Sequence, residues 1–507
     1  MTQANETHLK VLRTNIAAVR AVVEAVAGTL GPKGLDVLLV DEVGRLTLTN
    51  DGVEILRQLD VQHPAAQLVV QVADAQDRAV GDGTTTATVL AGSLLEAALT
   101  AIEQGVSINL LLSGMRMGIA RAVDALVAQA RPPADLEDPL LLAVTRVAAR
   151  GDEALAHTVW QAARRIGIDR LKSDEVRLAE LVVAEVGSSH RTFDGVLVGK
   201  KPVFEPPPGW QRSGNVLVLA DPLEPEGIDP GALASEGGFS RFLEAQNQLR
   251  LQVQHLVAAG VVLVVCEKGI APLAEEGLAD AGILAVQRTL TRDSRRVCRF
   301  SGARPARRTL LGRGPEALAP WLGRASVRYD PPSGRLVLES GGGQPLATIV
   351  VGALTADVAS EQERVAVDAC AALQAALKGG VVVGGGIAEF VAAQAVATQV
   401  AATEGLTRYG LAAVATALRR PVEQIVTNSG YSSLEKVAAL EAAQMKTGNR
   451  HLGIDCETGA ITDLQEAGVV DPLTVKTHAL QAAGEIAERI LRIQTVVRRR
   501  ENPRPEA

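Results

Sequence analysis

Apolar residues recur at steps of four and three near the start of the chain, at Leu12, Ile16, Val19, Val23 and Val26. That spacing predicts a helix with one buried stripe. It ends at Gly28, and Thr29-Leu30-Gly31-Pro32-Lys33-Gly34 is a turn that cannot stay helical. Residues 35–40 and 46–48 read as a strand pair around Asp41-Glu42-Val43-Gly44. The second strand runs into Thr49-Asn50-Asp51-Gly52, a hairpin or helix-cap turn that carries a carboxylate. Residues 65–130 are almost wholly helical in pattern, and Arg131-Pro132-Pro133 breaks them. Residues 138–195 read as helices followed by strands. A proline-rich shift at 201–209 then leads into short apolar runs at 216–220, 261–266 and 283–286. Helical spacers separate these runs, one of them over 240–258, so roughly 196–350 carries an α/β pattern. From about residue 357 the chain turns helical again, with Asp368 on that helix. Val381-Val382-Val383 leads directly into Gly384-Gly385-Gly386. The rest is helical to about 497, apart from a turn-rich, strand-like segment at 453–460. The charged tail, 498–507, reads as disordered.

One stretch carries chemistry on its face: Gly81-Asp82-Gly83-Thr84-Thr85-Thr86-Ala87. Two glycines flank a carboxylate, three hydroxyls follow, and an apolar helical run begins. Free N–H groups and the positive dipole end at such a helix start favour an anion, and glycines let a phosphate come close. Asp82 alone would repel phosphate, but Mg²⁺ between carboxylate and phosphate oxygens reconciles the two. The plainer alternative is an Asp/Gly turn whose threonines cap a helix.

With 507 residues the chain is long enough for about three domains, and 47% hydrophobic against 21% charged residues is a globular balance. A net charge of −7 and 2% aromatics give no footing for nucleic acid or an anionic membrane. The seven histidines are scattered, and the four cysteines form no CxxC, as expected of buried thiols in a reducing, cytoplasmic compartment. The N-terminus lacks a signal-peptide core, and no stretch of about 18 uncharged apolar residues is expected to cross a membrane. Residues 195–201 fail as a P-loop, being one residue short with Lys201 where Ser or Thr is needed, and no GxGxxG follows a strand.

Taken together, residues 29–34, Asn50-Asp51-Gly52, residues 81–86, Asp368, Gly384-Gly385-Gly386 and Gly468-Val469-Val470-Asp471-Pro472 resemble the chaperonin family in order and spacing. Asp60-Val61-Gln62-His63-Pro64-Ala65-Ala66, Gly430-Tyr431 and Gly453-Ile454-Asp455 are similar to the group II, thermosome and cytosolic, type. The likeness is specific over 8–120 and 360–497, and looser over 130–350. It implies an α+β multidomain subunit. A mostly helical equatorial ATPase domain would span 1–137 and 379–507, and a small intermediate hinge domain 138–195 and 351–378. An α/β apical domain would span 196–350, with a helical lid protrusion at about 222–258.

The resemblance further implies ATP and Mg²⁺ as cofactors. Asp82 would hold the metal, and Asp51 and Asp368 would orient or deprotonate the attacking water, as ATP hydrolysis requires. Hinge closure would bring Asp368 in only when ATP is bound. Thr29, Leu30, Gly31, Pro32, Gly52, Gly81, Gly83, Thr84, Thr85, Thr86, Gly384 and Gly385 would contact nucleotide, and Asp471 would accept a ribose hydroxyl. Arg150 stands where group II relatives usually carry a γ-phosphate-sensing lysine, and a guanidinium forks where an ammonium points. Expected partners are non-native polypeptides and further copies in stacked rings, with no nucleic acid, membrane or separate co-chaperonin. The function expected is an ATP-driven folding chamber. A passive holdase ring has no need of three carboxylates, and a small-molecule kinase would need a substrate pocket with a base that the sequence does not offer.

Overall fold

The structure is a computed structural model and describes residues 3–40, 44, 46–173, 175–207, 209–225, 235–331 and 333–495. The expected turn at 41–43, the start of the lid around 226–234 and the tail from 498 lie outside the described residues. The chain divides into two compact units, residues 1–160 with 364–507, and residues 161–363.

The first unit is a helical body built from both chain ends. Its axis is the helix Thr84–Glu103, which packs against Gln3–Ala27, Pro64–Val80, Arg408–Asn428 and Leu473–Leu491. The predicted stripe of the first helix is the contact surface: Leu12, Ile16, Val19 and Val26 are buried, and Val23 partly so. Thr84–Glu103, although it carries Glu96, is by length and composition apolar enough to cross a membrane. Leu90, Leu94, Leu95 and Ala98 are instead buried among the surrounding helices, and only a narrow edge with Glu96, Thr100 and Glu103 faces solvent, which explains the mostly apolar composition.

The strand pair forms as read, Val37–Val40 antiparallel to Leu46–Thr49, with Leu38 opposite Leu48. A second pair, Val381–Val383 with Val470–Pro472, sets Val382 opposite Asp471. The turn-rich segment near 453 is a hairpin of Leu452–Ile454 and Ile461–Asp463.

The second unit is α/β. Gln211–Leu219, Val261–Cys266 and Leu284–Val286 run parallel, matching the three expected apolar runs. Gly323–Asp330 and Arg335–Glu339 extend that sheet antiparallel. The helix Glu236–Ala258 lays Leu249, Val253 and Leu256 into the core below it. A separate sheet joins Val182–Val186, Ala347–Ala353 and Arg191–Asp194.

Candidate active site

The helix Pro64–Val80 ends at Gly81 with φ 75°, and the next helix opens at Gly83 with φ 77°. Two left-handed residues so close fold the chain sharply around Asp82, and only glycine takes both without strain. A Cβ on Gly83 would lie 2.5 Å from Val475 Cγ1, so the elbow is also pressed against the last long helix. No side chain caps the start of the Thr84 helix. Its first N–H groups therefore remain to be met from outside, in front of a helix twenty residues long.

Gln76, fully buried, fixes this elbow from behind. Its Nε2 donates to the Asp82 carbonyl at 2.7 Å and to the Val475 carbonyl at 3.1 Å. That leaves its Oε1 as the acceptor for His478 Nδ1 at 2.6 Å, so His478 carries its proton on Nδ1. Asp82 Oδ1 accepts from the Gly83 N–H at 2.6 Å. Loss of hydration, then the charges of Asp471 and Asp51, push the Asp82 carboxyl up to about 6, against the lowering pull of that N–H and of Lys476.

Asp51 caps the short helix Gly52–Gln58, its Oδ1 accepting from the Val53 N–H at 3.1 Å. A Cβ on Gly52 would fall 2.3 Å from Thr85 Oγ1, so this turn seats directly against the threonines. Asp368, on the helix Ala356–Gly379, faces the same cleft. Burial raises its carboxyl well above the usual carboxylate range, Arg364 pulls it back, and Asp82 and Asp51 raise it further.

The cleft is lined by Leu30, Asp51, Gly52, Gly81, Asp82, Gly83, Thr84, Thr85, Thr86, Arg150, Asp368 and Asp471. All belong to the first compact unit. Asp368 lines this cleft together with Asp51 and Asp82. The reason is that the compact unit holding Asp51 and Asp82 takes in the helix from Arg364 onward. Thr29, Gly31, Pro32, Gly384 and Gly385 flank the cleft rather than line it. The Thr29 hydroxyl donates to the Val26 carbonyl at 2.9 Å, and Gly31 abuts Ile425. A Cβ on Gly384 would lie 3.2 Å from Asp471 Oδ2, a result of the pairing between Val382 and Asp471.

Two cations in or behind the cleft were not read from sequence. Lys476 is buried, with Nζ 2.8 Å from Asp471 Oδ2 and 2.9 Å from Glu389 Oε1. Burial opposes its charge, but the two carboxylates hold the ammonium above the ordinary lysine value. Arg364 Nη1 lies between Asp51 Oδ2 and Asp368 Oδ2. Arg150, which was expected, adopts φ 54° just past the helix Pro139–Ala148.

Among the described residues, no three His, Cys, Asp or Glu side chains group into an all-protein metal cage. That suits Mg²⁺, which takes one or two carboxylates and completes its shell with water and phosphate oxygens. An uncapped helix start, a glycine elbow and a carboxylate beside them fit a metal-bound polyphosphate.

A sequence model of the TCP-1/cpn60 chaperonin family matches residues 22–501. The chain is 34% identical to the thermosome subunit beta of Archaeoglobus fulgidus, over 96% of this chain and 91% of that protein. It is 32% identical to the thermosome subunit alpha of Methanothermobacter thermautotrophicus, over 96% and 90% of the two. A crystal structure of a group III chaperonin in the open state superposes with a TM-score of 0.89 at 38% identity, covering 97% of this chain and all of that one.

Proposed function

The chain belongs to the TCP-1/cpn60 chaperonin family, in its group II-like branch, and from that premise we propose that it hydrolyses ATP to drive folding of non-native proteins. The observation that carries this reading is the convergence of Asp51, Asp82 and Asp368 on one cleft at the start of the Thr84 helix. A holding ring without turnover would have no use for three carboxylates placed there.

In this reading the glycine elbow and the N–H groups of Thr84, Thr85 and Thr86 bind phosphate oxygens, with Leu30, Gly31, Pro32 and Thr29 beside the nucleotide. Mg²⁺, held by Asp82, would supply neutralisation of phosphate charge. Asp51 and Asp368 orient the lytic water and take its proton. Asp471, held by Lys476, accepts a ribose hydroxyl, with Gly384 and Gly385 passing close to it. Arg150 reads the γ-phosphate.

The three-part division of the chain, with a hinge at 138–195 and 351–378, belongs to the same proposal. So does assembly into stacked rings. Supporting assembly, the hairpin Val37–Val40 and Leu46–Thr49 leaves Leu38, Val40, Leu46 and Leu48 exposed on a two-stranded sheet with open edges. Four unpaired cysteines support a reducing, cytoplasmic setting. Phosphate release from ATP by the purified protein, with electron micrographs in its presence and absence, tests the whole. Mg²⁺-dependent turnover and a nucleotide-dependent change in ring appearance are expected. Rings without turnover would instead make it a passive holdase.

A further inference from the structure

We propose that Arg364 is a positioning residue for hydrolysis: one guanidinium nitrogen aims the carboxylates of Asp51 and Asp368 at a common point. The inference rests on the ATPase reading above. Arg364 and Asp368 lie one turn apart on the helix Ala356–Gly379, while Asp51 comes from the turn before Gly52–Gln58. Nη1 of Arg364 is 3.1 Å from Asp51 Oδ2 and 3.0 Å from Asp368 Oδ2. The two oxygens therefore lie no more than about 6 Å apart, a range in which like charges disfavour each other's ionisation. A water that both are to orient needs both ionised and both pointing inward. A single permanently charged donor between them turns both oxygens inward and favours the ionised form of Asp368 against the burial that raises its carboxyl.

The surroundings separate this arrangement from an ordinary surface ion pair. The side chains of Arg364, Asp51 and Asp368 are only 19%, 15% and 27% exposed. Exposed pairs contribute little, whereas a shielded cation held between two acids fixes the direction in which both point. The remaining oxygen of Asp51 is already committed, accepting from the Val53 N–H at 3.1 Å. Asp51 is thus pinned from two sides, by a helix start and by Arg364. Asp368 has its helix and the same guanidinium. On the sequence, Arg364 looks like any helical charge; only the fold brings Asp51 to it.

The test uses the full-length protein and steady-state hydrolysis of Mg·ATP by wild type, Arg364→Met, Arg364→Gln and Arg364→Lys. Arg364→Met and Arg364→Gln are each expected to lower kcat by about 100-fold while leaving KM within about threefold, as misplaced catalytic groups do. Arg364→Lys should recover at least about tenfold of the loss, because an ammonium can sit between the same two oxygens. In an Asp368→Asn background, Arg364→Gln should cost almost nothing further, since residues acting as a unit are not additive. A neutral variant with near wild-type kcat, a loss that appears in KM, or full additivity with Asp368→Asn would overturn the inference. If Arg364→Met fails to assemble, the Gln and Lys variants decide on the same criteria. Wild-type protein that binds but never hydrolyses ATP would instead defeat the ATPase reading itself.

Discussion

Asp82, the proposed Mg²⁺ ligand, sits where a cation would offset the cost of its charge. Burial and two neighbouring acids raise it to about 6, so in ligand-free protein it is protonated below that pH and charged above it. The sign follows. A carboxyl raised above its unfolded value lowers stability as pH rises through about 6, and a bound cation removes that cost. Binding of Mg·ADP should therefore release a proton, about half per site near pH 6 and far less at pH 8. Calorimetry in buffers of different ionisation enthalpy measures this, and Asp82→Asn should abolish it. Asp368 has a different task, and Asp368→Ala should keep nucleotide affinity while turnover falls by about 100-fold or more. A rate near wild type would remove Asp368 from the water-orienting role. The three carboxylates were legible in the sequence because Asp51 and Asp82 sit in glycine turns and Asp368 follows a family pattern. Lys476 and Arg364 were not, because a charge on a helix declares its partner only after distant segments meet.

At the scale of elements, the site is a meeting of turns. Helix ends at Gly81 and Gly83, the cap at Asp51 and the short strand carrying Asp471 supply its groups, and the helices behind hold them still. The helices and the first hairpin followed from periodicity. The pairing of Val381–Val383 with Val470–Pro472 did not, since two three-residue apolar runs carry no mark of each other. Gly83→Ala should be costly on both counts that fix the elbow, φ 77° and a Cβ 2.5 Å from Val475 Cγ1. A loss of about 1–3 kcal/mol in stability, with weakened ATP binding, is expected from thermal unfolding and titration. Arg150 makes the opposite case, a non-glycine residue held at φ 54° beside the cleft. Strain of that kind is kept where function needs the side chain. Arg150→Gly should relieve about 1 kcal/mol of it, raising the melting temperature, with ATP affinity roughly intact. The same variant should lose the ATP-induced change in protease sensitivity. If that change persists as in wild type, Arg150 does not couple nucleotide to conformation.

For the whole molecule, the remaining question is how a chamber would be shut. The helix Glu236–Ala258 begins with Ser235, whose Oγ accepts from the Gly238 N–H at 3.1 Å. Leu249, Val253 and Leu256 anchor its second half, while Phe239 and Leu243 stand exposed in its first. A helix anchored at one end, with apolar side chains presented at the other, suits a built-in lid that meets its neighbours in a ring. Residues 226–234, where the sequence places the tip of such a lid, lie outside the described residues. Such a lid would need no separate co-chaperonin and would close as ATP is hydrolysed. Deleting residues 227–234 spares the Ser235 cap and everything that anchors the helix. The deletion should therefore leave ATPase activity and ring assembly intact while abolishing protection of a bound client from protease when ATP is added. A deletion variant that still shields its client would show that closure is made by another part of the subunit. Lost ATPase activity would mean that the tip also serves the nucleotide cycle.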